Sequence, residues 1–152
     1  MAAQKRTKAR GAGLPGDSIE IDFVILADFA QAVLGKLNLV GGGWNVHNAT
    51  QYPSTVQFGV GIGILVPWSL TNRQHRFELL IKGSEGGPEL VRGGGEFEIG
   101  RTAGIPPGMV QRVTLGFSGQ LQIPEAGTYE IIVTAAGRSK TVTFEALPIR
   151  RQ

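Results

Sequence analysis

Few side chains of this chain are equipped for chemistry: it holds two histidines, three aspartates and no cysteine. The absence of thiols removes disulfides, thiolate nucleophiles and cysteine-ligated metals together. A metal site draws three or four ligands from His, Cys, Asp or Glu. His47 is followed by Asn48 and has no acid close in sequence, and His75 stands between Gln74 and Arg76, whose charge disfavours a bound cation. Both read as ordinary strand residues, so no metal is expected. Ser118, in Gly116-Phe117-Ser118-Gly119, comes nearest to a nucleophile elbow, but the second glycine falls one position early. Glu96 and Glu98 share one face of an extended segment, the arrangement of paired carboxylates, and a solvated face is the simpler reading. Gly41-Gly42-Gly43 and Gly93-Gly94-Gly95 are followed by Trp44 and Glu96 where a phosphate loop needs lysine, so both read as loops or bulges. No catalytic residue and no cofactor is expected. A hydrolase would need a triad assembled in space from distant segments.

Binding chemistry is better represented. Trp68-Ser69-Leu70-Thr71-Asn72-Arg73-Gln74-His75 joins two extended segments, and loops at the ends of a sandwich often carry binding. Trp68, Asn72, Arg73 and His75 form the candidate ligand or partner patch: an indole to stack on a sugar or planar group, with polar side chains for its rim. The competing reading folds Trp68 over Gly59, Gly61 and Gly63, as aromatic rings cover strand glycines. Trp44 reads as core rather than as a binding platform.

The elements that must position these residues are strands. Val56, Phe58, Val60, Ile62, Ile64 and Val66 alternate with Gln57, Gly59, Gly61, Gly63 and Leu65, the period of a strand. One face is a branched and aromatic stripe for a core; the other is nearly bare backbone, closely approached by something. Ile19, Ile21, Phe23 and Ile25 share a face of a first strand. Asp28 and Gln31 stand as a capping box and Gly35 as a stop, predicting one short helix near residues 28–34. His75 to Ile81 alternates as a further strand. Glu89 to Arg92 and Glu96 to Ile99 read as strand pieces separated by glycine. Met109 to Phe117, Leu121 to Ile123, Tyr129 to Val133 and Val142 to Phe144 follow, divided by Pro and Gly turns. The prediction is an all-β chain, a two-sheet antiparallel β-sandwich of immunoglobulin-like or jelly-roll-like type, with a closed β-barrel as the alternative. Tyr129 follows the turn Pro124-Glu125-Ala126-Gly127, where a tyrosine can bury its ring and return its hydroxyl to a nearby carbonyl.

Length and composition fit that architecture. The chain has 152 residues, 41% of them hydrophobic, enough for one domain with a core of its own. Its net charge of +3 belongs to its ends: six of the 15 basic residues lie before residue 11 or after residue 149, leaving nine against 12 acids between. Residues 1–17 read as a disordered basic tail, 18–148 as the sandwich and 149–152 as a basic C-terminal tail. Nucleic acid is not expected as a partner beyond weak contact through the tails, since no basic face continues the contact. No apolar stretch marks a signal or a membrane span, so a cytoplasmic protein without membrane insertion is expected.

Ala27-Asp28-Phe29-Ala30-Gln31, Gly35 to Trp44, Leu65-Val66-Pro67-Trp68, Asn72 to Phe77 and Gly127-Thr128-Tyr129-Glu130 together resemble a small bacterial family of uncharacterised single-domain proteins, over roughly residues 19–147. The resemblance implies a β-sandwich, with no assigned activity and no functional residue to carry over. The resemblance implies an acidic hairpin turn after the Phe77–Ile81 strand; Lys82-Gly83-Ser84-Glu85-Gly86-Gly87 holds a single acid, so calcium has little to bind there. The leading functional expectation is a non-enzymatic interaction or structural module, binding a protein partner or forming a homo-oligomer. A small-ligand or carbohydrate binder using the Trp68 loop stands second and a hydrolase third.

Overall fold

The computed structural model describes residues 18–150. The expected N-terminal tail, and Arg151 and Gln152 of the C-terminal one, lie outside the described residues. Ten strands follow in order: β1 Glu20–Ala27, β2 Phe29–Val33, β3 Lys36–Val40, β4 Val46–Ala49, β5 Ser54–Val66, β6 His75–Gly83, β7 Glu89–Phe97, β8 Gln111–Ile123, β9 Gly127–Ala135 and β10 Arg138–Pro148. One sheet has the order β1-β5-β8, the facing sheet β4-β10-β9-β6-β7, and β2-β3 stands apart as a hairpin. β4 joins β10 in parallel, and every other pairing is antiparallel. From β4 onward the chain crosses between sheets after β4, β5, β7 and β8, giving immunoglobulin-type connectivity rather than a jelly roll or a closed barrel.

β5 organises the sandwich. Its even-numbered residues Phe58, Val60, Ile62, Ile64 and Val66 are buried between the sheets with Leu79, Ile81, Leu121, Ile131, Val133 and Phe144. β1 meets the same core through a change of phase. Its register against β5 shifts between Ile21 and Phe23, so that Ile21 opposes Ile64 while Val24 opposes Ile62. Asp22 is the extra residue of that bulge. Ile19 on one side of it and Val24 and Leu26 on the other enter the core, and Phe23 turns to the outer face. The shared odd face expected for β1 is thereby broken.

The expected helix near residues 28–34 is instead the β2-β3 hairpin, with Val33 paired to Lys36 and Phe29 to Val40. Leu34 (φ +50°) and Gly35 (φ +72°) form its two-residue turn, the left-handed pair that matches strand twist. Gly35 thus supplies a positive φ, but for a hairpin. Asp28 caps nothing helical: its N–H donates to the carbonyls of Val40 and Gly41, closing the hairpin base. Gln31 pairs with Asn38 across the hairpin.

The hairpin forms a third layer on the outer face of β1-β5-β8. A Cβ added at Gly59 would lie 2.8 Å from Phe29 Cα, one at Gly61 would lie 2.8 Å from Leu37 Cδ2, and one at Gly116 would lie 2.8 Å from Ala32 N. The bare face of β5 is therefore approached by the hairpin, through backbone at Gly59 and through the Leu37 and Leu39 side chains at Gly61, and not by Trp68; Phe23 covers Gly63. Ser118 Oγ donates to Ala30 O at 2.7 Å and accepts from Ala30 N at 2.8 Å. Two expected interruptions are absent: β7 runs unbroken through Gly93-Gly94-Gly95, and Leu121 and Ile123 end β8 rather than forming a separate strand. Tyr129 is buried, and its hydroxyl donates to Glu125 O at 2.7 Å.

Candidate functional site

The predicted patch is a self-bonded knot. Pro67 closes β5, and Trp68–Leu70 turn as a single 3-10 element. Thr71, 3% exposed, donates through Oγ1 to Trp68 O at 2.7 Å. Arg101, which the sequence reading passes over, reaches in from the β7–β8 connection. Its Nε donates to Thr71 Oγ1 at 2.7 Å, its NH2 donates to Trp68 O at 2.8 Å, and its Cζ lies 4.1 Å from the indole centroid. One face of Trp68 is thus engaged by a guanidinium of this chain. His75 Nε2 donates to Leu70 O at 2.8 Å, since a carbonyl only accepts, and its ring packs on Phe97. Asn72 (φ +58°) donates its N–H to Ile99 O, and both it and Arg73 are exposed. The loop brings Trp68, Thr71, His75 and Arg101 together to tie the β5–β6 crossover to the β7–β8 one. Asn72 and Arg73 stay at its rim.

Trp44 is half-buried, edge-on to Phe144 at 5.7 Å, with its Nε1 buried and unpartnered. His47 lies 3.0 Å from Ser54 Oγ through Nε2. A hydroxyl beside an imidazole is the smallest unit of nucleophile and base, and a third group normally orients the base. Among the described residues, no carboxylate is hydrogen-bonded to His47, and no group of three or more His, Asp or Glu side chains is placed to hold a metal ion.

The feature with open binding capacity is one side of the sandwich. β8 is bonded to β5 along one edge, and no described strand lies along the other. This edge is 13 residues long, and in such a strand about half the backbone N–H and C=O groups point away from the sheet. Across from it, β7 is the edge of the facing sheet. Phe117 of β8 and Phe77 of β6 meet at 5.6 Å between centroids, and Val113, Leu115 and Phe117 are only half-buried on the core side of β8. Gly93 and Gly95 pair with Leu79 and Phe77 and so face the same gap, and a Cβ at Gly93 would meet nothing within 4 Å. Edges are usually guarded by charge, proline or a bulge. β7 carries Glu89, Arg92 and Glu96. The one charged residue of β8, Arg112, is drawn back to Asp22 on β1 at 2.6 Å. The sequence shows the Val113, Leu115, Phe117 alternation and the low charge, but not that a strand is missing beside them.

The profile of a protein family described as of unknown function, DUF6941, matches residues 22–144, from the β1 bulge to the core end of β10. The chain belongs to DUF6941. The matched span takes in the third-layer hairpin, the Trp68 knot and the β8 edge, so all three lie within the DUF6941 domain. No curated protein matches the chain. Among the described residues, no helix is long and apolar enough to cross a membrane.

Proposed function

We propose that this DUF6941 chain is a non-enzymatic interaction module that binds polypeptide by strand addition along β8. The observation that carries the reading is the 13-residue edge of β8, which has no described neighbour on its far side and no untethered charge. An added strand would satisfy the outward backbone groups. It would also set alternate side chains into the gap bounded by Phe77, Phe117, Gly93 and Gly95. The Trp68 loop supports carbohydrate binding less well, because Arg101 already lies on the indole. A second reading, hydrolysis with Ser54 as nucleophile, is favoured by the 3.0 Å contact to His47. Ester turnover abolished by Ser54→Ala would establish it.

The test of strand addition uses a labelled peptide copying Val113–Leu121, which is uncharged and alternates apolar and polar residues. Binding is read by fluorescence anisotropy. Gly93→Leu places a side chain in the gap where there is room for it. It should weaken the peptide by at least about ten-fold, roughly 1.4 kcal/mol, while the melting temperature holds. Equal binding by both proteins would remove the β8 edge from the function.

A further inference from the structure

The core-side faces of β6 and β8 are unevenly closed. Leu79 and Ile81 of β6 and Leu121 and Ile123 of β8 are buried, whereas Phe77, Val113, Leu115 and Phe117 are only half-buried. Phe77 and Phe117 also belong to a row of rings. The row begins with His75 of β6 and Phe97, its partner on β7, whose centroids lie 5.5 Å apart. Phe77 of β6 follows at 6.2 Å from Phe97, and Phe117 of β8 at 5.6 Å from Phe77. The ring planes are tilted by 37°, 42° and 47° in turn. The row stops at Phe117, on the strand whose far edge has no described neighbour. Beside Phe77, β7 supplies backbone alone. An added Cβ at Gly95 would lie 3.3 Å from the Phe77 ring, and one at Gly93 would meet nothing within 4 Å.

We propose that the partner is an extended, uncharged segment of another protein that sets an aromatic residue opposite Phe117 and so lengthens the row. The inference rests on the strand-addition reading and names the side chain that the edge selects. Residues directly opposite in an antiparallel pair point to the same face, with Cβ atoms about 4.5–5.5 Å apart. A residue opposite Phe117 therefore stands on the core side, next to that ring. Aromatic pairs favour tilted or offset rings about 4.5–7 Å apart, and contribute beyond the area they bury. That is the spacing the row already keeps, and Gly93 leaves room for one more ring. An aliphatic side chain would keep water from Phe117 but forgo the aromatic contribution. A charged one would lose hydration and gain no partner, because Arg112 is held by Asp22, and Arg92 by Glu78 and Glu89. Residues Met1 to Asp17 contain no aromatic side chain and four basic ones, so they do not supply the segment.

The experiment titrates the full chain with the Val113–Leu121 peptide, whose central residue is phenylalanine, and with a version carrying leucine there. Anisotropy should rank phenylalanine above leucine by roughly three- to ten-fold. Phe117→Leu removes the opposing ring and keeps a large apolar side chain, so the two peptides should then bind within about two-fold of each other. The ratio is the readout, since a purely structural effect of the substitution would weaken both peptides together. Equal binding of the two peptides by the unaltered chain, or a preference that persists in Phe117→Leu, would overturn the aromatic contact and leave strand addition standing. Failure of the unaltered chain to bind either peptide would end strand addition and this inference with it. Should Phe117→Leu not fold, para-fluorophenylalanine at the centre of the peptide carries the test on the unaltered chain. A fluorine–proton Overhauser contact to the Phe117 ring should appear, and binding without it would overturn the inference.

Discussion

Ser118 joins two layers through a single oxygen. Its hydroxyl satisfies both the N–H and the C=O of Ala30, a residue 2% exposed and so cut off from water. Ser118→Ala leaves both groups without that partner, and should cost about 1–3 kcal/mol, read as a lowered urea midpoint. Cysteine at the same position, with its weaker and longer hydrogen bonds, should recover part of the loss. What the sequence shows at this scale depends on how far the partner lies. Tyr129 is legible because its turn sits four residues before it, and the bond to Glu125 O forms locally. Ser118 is separated from Ala30 by 88 positions, and Arg101 from Thr71 by 30. Nothing in residue type announces either pairing. Ser118 instead draws the eye as a failed nucleophile elbow, and Trp68 as a free platform.

Among elements, the strands of the sandwich are the readable part, because alternation survives wherever one face is buried. β5, β6 and β9 follow their patterns. The hairpin does not, since Asp28, Gln31 and Gly35 have the same spacing in a capping box and stop as at the base and turn of a five-residue ladder. What decides is tertiary: Gly59 and Gly116 leave a flat floor that accepts extended backbone, and Gly61 leaves room for the Leu37 and Leu39 side chains. The bulge at Asp22 hides for a related reason, because both phases of β1 are apolar and neither betrays the shift. The floor is testable. Gly→Ala in a strand ordinarily gains about 0.4–1 kcal/mol through the unfolded chain. At Gly59 the added Cβ meets backbone of Phe29 and Ala30, and overpacking of this kind costs about 1–3 kcal/mol. Gly59→Ala should therefore lower the melting temperature. It should also raise amide exchange selectively across Phe29–Val40, with the core strands remaining protected. Uniform exchange across the chain would show that the layer does not rest on this floor.

At the scale of the molecule, two phenols fasten the sandwich, one within a turn and one across 95 positions of the chain. Tyr129 donates to Glu125 O at the inter-sheet turn, and Tyr52 donates to Leu147 O near the end of β10. Burial is the main cause that raises both above the ordinary phenol value of 10.0, and the nearby Tyr129 adds to the rise at Tyr52. Groups whose folded pKa lies above the unfolded one contribute stability that is intact below the unfolded value and lost as pH rises through the folded one. The whole fold should therefore hold to about pH 10 and weaken beyond it. Tyr129→Phe, already weaker at neutral pH for want of its hydrogen bond, should show a shallower alkaline decline, read by denaturant titration across that range.

The parallel β4–β10 pair sets how the molecule would bear tension. Ser18, just before β1, lies 3.3 Å from Arg138 at the start of β10, whereas Ile149 follows the far end of β10 and bonds to Ala49. The described chain thus enters at one pole and leaves at the other. A pull between those poles loads the β4–β10 rungs sideways and together, so they would have to rupture as a set instead of unzipping singly. The hairpin between β1 and β4 stands outside that line of force, as slack released only after the clasp has given way.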